Sequence, residues 1–154
     1  MPIPPFTANG VLPTGIYDTS LSEVEDKFGR FRSDDDRVVL FQRLTHYLGE
    51  LFSWGHVQEV LLDGSFVSSK DNPGDIDLII VLKSDFDYEA PTTPTEYNVL
   101  SGRRISRTYN FDAKTVSANS LEYETWVNYF SQDTRRPGFT KGLLRLVPHA
   151  NDSQ

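Results

Sequence analysis

Residues 61–82, Leu-Leu-Asp-Gly-Ser-Phe-Val-Ser-Ser-Lys-Asp-Asn-Pro-Gly-Asp-Ile-Asp-Leu-Ile-Ile-Val-Leu, constrain the fold of this chain more than any other stretch. They predict a strand ending in Gly64-Ser65, a short loop, and a second strand carrying Asp75 and Asp77. Side chains on a strand alternate between faces. Asp75 and Asp77 therefore project together from one face, while Ile76, Leu78, Ile80 and Leu82 take the other. Two aligned carboxylates beside a Gly-Ser turn are suited to holding a divalent cation and the phosphates that accompany it.

A length of 154 residues predicts one domain with a real core. The longest apolar run, Leu78 to Leu82, is strand-sized, far short of the ~18 residues a membrane-spanning helix needs. The first thirty residues lack the basic start and apolar core of a signal peptide. Cysteine is absent, which excludes a disulfide framework and a thiolate zinc site. These features predict a cytoplasmic protein with no membrane partner. The net charge of −7 is uneven: residues 1–100 hold 7 Lys and Arg against 17 Asp and Glu, and residues 101–154 hold 8 against 5. An acidic chain makes a poor general coat for nucleic acid, whose binding rests on phosphate neutralisation. The basic last third can meet phosphates locally or simply be a solvated surface.

Residues 1–19 hold four of the nine prolines and show no apolar periodicity, and they predict an extended N-terminal arm. Ser20-Leu21-Ser22-Glu23 fits a capping box opening a short helix that stops near Gly29. A second helix is expected from Ser33 or Asp34, with acidic residues at the positive end of its dipole. Its stripe of Phe41, Leu44, Leu48 and Leu51, widened by Leu40, Tyr47 and Phe52, predicts a core helix closing at Gly55. Strands are expected at 57–62, 76–82, 109–117 and 141–147, a helix at about 93–108, and another capped by Asn119. The domain then spans 20–147, with a loose tail over 148–154. The element order predicts an α+β (mixed α/β) fold, a small mixed sheet flanked by helices.

The acidic constellation has few compatible readings. A calcium-binding EF-hand loop needs alternating oxygen ligands and a closing Glu, but Asp77 is followed by Leu-Ile-Ile-Val-Leu. A P-loop needs Gly-x-x-x-x-Gly-Lys before Ser or Thr, and no such run exists. A sugar-nucleotide transferase also uses an Asp-x-Asp pair, in a larger domain. The plain alternative is a Gly-Ser turn with two exposed carboxylates at a strand start.

Gly64-Ser65, nine residues, then Asp75-Ile76-Asp77 and an apolar strand resemble the signature of the nucleotidyltransferase fold of the DNA polymerase β superfamily. More narrowly, the chain resembles a family of small bacterial nucleotidyltransferase-like proteins. Leu12-Pro13-x-Gly15-Ile16, Leu62-Asp63-Gly64-Ser65-Phe66-Val67, Gly74-Asp75-Ile76-Asp77 and Lys141-Gly142-Leu143-Leu144 carry that likeness. The resemblance implies transfer of a nucleoside monophosphate from a nucleoside triphosphate to an acceptor in RNA, protein or a small molecule. It implies Asp75, Asp77 and a third carboxylate, for which Asp112 is the candidate, as catalytic residues and ligands of Mg²⁺ or Mn²⁺. Two such ions about 3.5–4 Å apart clamp the attacking and leaving oxygens. Gly64 and Ser65 would hold phosphate, with Lys70 and Lys141 as further phosphate partners. A toxin–antitoxin or phage-defence setting, and a protein partner, are associations of the same kind.

Each of the weaker candidates has a bland counterpart. Asp112 also reads as an ordinary exposed aspartate, Lys70 as a solvated loop lysine, and Arg135, Arg136 and Lys141 as turn charges before an edge strand. Arg103, Arg104 and Arg107 read as a solvated helix face, and Asp63 as a loop hydrogen bonder. His46, His56 and His149 form no metal set, and Trp54 and Trp126 read as core. The alternative function is a non-catalytic nucleotide-binding or partner-binding protein that keeps the fold.

Overall fold

The computed structural model describes residues 3–31, 35–134 and 136–148. The elements run β1 (Ile16–Asp18), α1 (Leu21–Val24), α2 (Asp35–Trp54), β2 (Val57–Asp63), β3 (Ile76–Leu82), α3 (Pro94–Leu100), α4 (Gly102–Tyr109), β4 (Phe111–Ser117), α5 (Leu121–Phe130) and β5 (Leu143–Leu146). The strands form one mixed sheet in the order β1-β5-β2-β3-β4. β2 is antiparallel to both β3 and β5, whereas β3–β4 and β1–β5 are parallel. The fold is α+β, as the alternation of elements in the sequence predicts.

β3 positions the rest. Its residues from Leu78 onward are buried on both faces, which requires cover on each side. Val60, Leu62, Ile76, Leu78, Ile80 and Leu82 join the main core with α2, Val99 and Ile105. Leu61, Ile79, Val81, Val116 and Leu143 form a second, smaller core under Trp126, Val127 and Phe130 of α5. The parallel β3–β4 pair needs a crossover, which α3 and α4 supply. α2 buries Leu40, Leu44, Tyr47, Leu48 and Leu51 of the expected stripe, with Phe41 and Phe52 partly buried at its margin. It ends at Gly55, whose φ of 89° favours glycine. Its expected start at Ser33 or Asp34 lies outside the described residues, as do Arg135, His149 and all of the tail but Pro148.

Four expectations are corrected. The N-terminal arm is part of the fold: Val11 and Leu12 are buried, and Ile16–Asp18 pair with Leu143–Arg145. A strand three residues long whose partner is over a hundred residues away leaves no periodic trace. The expected helix over 93–108 is two helices. Thr93 caps α3 by accepting from the Glu96 N–H at 3.1 Å. Ser101, in extended conformation, restarts the chain by accepting from the Arg104 N–H. Tyr109 closes α4 rather than opening β4, because Asn110 adopts left-handed backbone at φ 64° and ends the helix. Finally, Ser120 and not Asn119 caps α5; its hydroxyl accepts from the Tyr123 N–H at 3.1 Å. Ser20 does cap α1, accepting from the Glu23 N–H at 3.2 Å.

Candidate active site

Three aspartates stand side by side across the sheet. Asp63 ends β2, Asp77 is the second residue of β3 and Asp112 the second of β4. The register pairs Asp63 with Asp77, and Asp77 with Asp112. Cross-strand partners point to the same face, and Leu61 and Ile79, two residues along from Asp63 and Asp77, pack into the core beneath α5. The carboxylate row therefore faces the α5 side at one end of the sheet. It opens into a cavity of about 330 Å³ that is also lined by Gly64, Ser65, Lys70 and Lys141.

Six of the seven residues that the sequence singles out thus share one cavity. Asp75, the seventh, lies one position before β3, is half-buried and does not line the cavity. It remains electrostatically coupled: burial, then the charge of Asp112, push its carboxyl above the ordinary range, while Lys70 opposes the rise. Asp77 feels the crowding most. Burial, followed by Asp75, Asp63 and Asp112, pushes its carboxyl up to about 6. Asp112 is the open end of the row, with its side chain 54% exposed and Lys114 Nζ 3.5 Å from Oδ1.

Asp63 has a larger place than a loop hydrogen bonder. It is nearly buried, and Lys141 Nζ lies 3.0 Å from its Oδ1. Burial raises its pKa and Lys141 opposes that rise. Its position in the row depends on the β2–β3 register, which a loop of twelve residues between the strands does not fix from sequence alone.

Gly64 is held to glycine twice over. Its φ is +93°, and an added Cβ would stand 3.2 Å from both the backbone N and Oδ2 of Asp77. Gly64→Ala is expected to cost about 1–3 kcal/mol from backbone strain, and to push the turn away from the carboxylate. Urea denaturation reads the first effect; a variant as stable as the parent would show that the turn is not under this constraint.

The turn after Gly64, Ser65–Val67, is fixed from below by a residue that sequence reasoning missed. Arg37 is fully buried in the first turn of α2. Its guanidinium donates to the carbonyls of Phe66 (2.8 Å), Ser68 (2.7 Å) and Lys70 (2.7 Å), and across to Phe28 (3.2 Å). The signal was present: Arg37 continues the stripe Leu40, Leu44, Leu48, Leu51 by one turn, so a cation there had to be buried. From the other side, Ser69 N–H donates to Gly10 at 2.8 Å, and the Asn110 side chain donates to the Gly74 carbonyl.

The donor set is all oxygen, and its four aspartates, Asp63, Asp75, Asp77 and Asp112, outnumber the three lysines around them, Lys70, Lys114 and Lys141. That suits a hard divalent cation. Among the described residues, no three carboxylates or imidazoles converge closely enough to form a closed ligand set. Arg103, Arg104 and Arg107 lie exposed on α4. α4 packs on the opposite face of the sheet from the carboxylates, its Ile105 in the main core. Trp54 and Trp126 are only partly buried, each packed at the margin of a core.

The architecture and cavity define an α+β protein with an acidic, lysine-flanked cleft at strand ends. The chain belongs to the family described as "Family of unknown function (DUF6932)", which it matches over residues 4–147. No curated protein and no solved structure matches it. Among the described residues, no helix is long and apolar enough to cross a membrane.

Proposed function

We propose that this protein transfers a nucleoside monophosphate from a nucleoside triphosphate to an acceptor hydroxyl. The observation that carries this reading is the in-register row Asp63–Asp77–Asp112 with the Gly64-Ser65 turn folded directly against Asp77. Held by Asp77 and Asp112, with Asp75 beside them, Mg²⁺ or Mn²⁺ would supply Lewis-acid stabilisation of the transferring phosphate and of the leaving oxygen. Lys141, paired with Asp63 beside the Gly64-Ser65 turn, and Lys70, which lines the same cavity, would neutralise the two outer phosphates that depart as pyrophosphate. Ser65 offers its hydroxyl to the same group. On the far side, Asp112 is the most exposed carboxylate and stands where an acceptor enters. There the acceptor oxygen forms its bond to the α-phosphorus, the bond to pyrophosphate breaks, and Asp112 takes up the hydroxyl proton. Closure of the cavity against water would strengthen each of these charge interactions.

A second reading has its own support. Lys141 and Lys114 already sit on the two outer carboxylates, at 3.0 and 3.5 Å, as in a site that binds a nucleotide without turning it over. One experiment separates the two. The protein is incubated with Mg²⁺ or Mn²⁺, each α-labelled nucleoside triphosphate and a mixture of cellular RNA and protein, beside an Asp75→Ala/Asp77→Ala control. Label in an acceptor that disappears in the control is the expected result. Saturable nucleotide binding with neither label transfer nor pyrophosphate release would reject transfer in favour of the binding protein.

A further inference from the structure

A second groove, of about 380 Å³, opens beside the carboxylate row, lined by Asp112, Lys114, Thr125, Trp126, Tyr129 and Phe130. It adjoins the first cavity, and Asp112, Tyr129 and Phe130 line both. Packing on the second core accounts for only part of its aromatic wall. Phe130 is buried, but Tyr129 is 60% exposed and Trp126 only partly covered. The Trp126 and Tyr129 rings lie 5.6 Å apart at 87°, so together they make a right-angled corner. A flat ring entering this corner stacks on one ring and turns its own edge to the face of the other, both favourable arrangements for aromatic systems.

We propose that this corner is the nucleobase subsite of the nucleoside triphosphate, an inference that rests on the triphosphate site proposed above. It also fixes the selectivity. Three polar side chains of the groove are already engaged: Thr125 Oγ1 donates to the Leu121 carbonyl at 2.9 Å. Lys114 pairs with Asp112, and its Nζ lies 5.0 Å from the Trp126 ring centre. With stacking available and little left to read the edge of a base, the groove holds bases by their faces. Purines, which stack over a larger area, bind better than pyrimidines, and adenine and guanine are scarcely distinguished.

The test compares ATP, GTP, CTP, UTP and inorganic triphosphate, all with Mg²⁺, by calorimetry on the unaltered chain. In parallel, a Trp54→Phe variant leaves Trp126 as the single tryptophan of the two in the chain, so that its fluorescence reports the groove. Purine nucleotides are expected to quench Trp126 and to bind about 10-fold more tightly than inorganic triphosphate. ATP and GTP should agree within about 3-fold, since stacking is tolerant of base identity. Tyr129→Ala, at an exposed position, should remove most of the advantage of ATP over inorganic triphosphate. Equal affinities for ATP and inorganic triphosphate, both indifferent to Tyr129→Ala, would reject the base groove and leave the phosphate site standing. Failure of every triphosphate to bind would reject both.

Discussion

Asp77→Asn is expected to raise the midpoint of thermal unfolding at pH 7 while lowering transfer by about 1,000-fold or more, the scale of losing a preorganised group at a developing charge. The two effects have one origin. In the folded protein, burial and three neighbouring carboxylates hold Asp77 near 6. In the unfolded chain it titrates near ~3.9. Between these values the folded state keeps a proton that the unfolded state has lost, so stability falls as pH rises through this window. The cost is absent below pH ~4 and complete above the folded value. The open side of the cavity screens part of it, leaving about 1 kcal/mol, or roughly 2–4 °C for a chain of this length. Unfolding midpoints of parent and variant should therefore converge near pH 4 and separate toward pH 7. Mg²⁺ or Mn²⁺ should stabilise the parent and not the variant. A variant less stable than the parent at pH 7 would mean that Asp77 carries no such repulsion.

The largest loss of stability is expected from Arg37→Met. The methionine fills much of the space but leaves the carbonyls of Phe66, Ser68 and Lys70 without their buried donor. Breaking a buried charged network from one side costs about 3–5 kcal/mol, or roughly 10 °C in the unfolding midpoint. Because those carbonyls belong to the segment between Gly64 and Asp75, triphosphate affinity should fall even below the temperature at which the variant unfolds. Arg37→Lys should recover only part of the loss, since an ammonium cannot reach four carbonyls with a planar fork. Denaturant midpoints for the three proteins measure the series. A methionine variant within about 1 kcal/mol of the parent would remove Arg37 from this role.

What the sequence made legible follows from the range of the interactions. α2, β2 and β3 are written in local periodicity, and Ser20, Gly55 and Gly64 mark ends that depend on a few neighbouring atoms. Asp75 and Asp77 stood out because they lie together before an apolar strand. Asp63 and Arg37 did not, since each gains its place from a partner far along the chain: Asp63 from the strand register and Lys141, Arg37 from carbonyls at 66–70. β1 has no local signature, and its pairing rests on β5. The break at Ser101 was legible in principle, because two serine or threonine caps lie eight residues apart.

The position of β5 has a consequence for how the molecule assembles. β5 lies between β1 and β2, so two strands from the first half of the chain become neighbours of a common third only when residues 143–146 are in place. Until then β1 has no partner in the sheet, and the inner edge of β2 presents unpaired backbone. Lys141, which precedes β5, is also the counter-charge of Asp63, so the acidic row stays unneutralised on that side until the same moment. On the ribosome, the sheet and the charge balance of the cleft are therefore completed in a single late event. Slow folding of the kind associated with distant contacts is the expected signature.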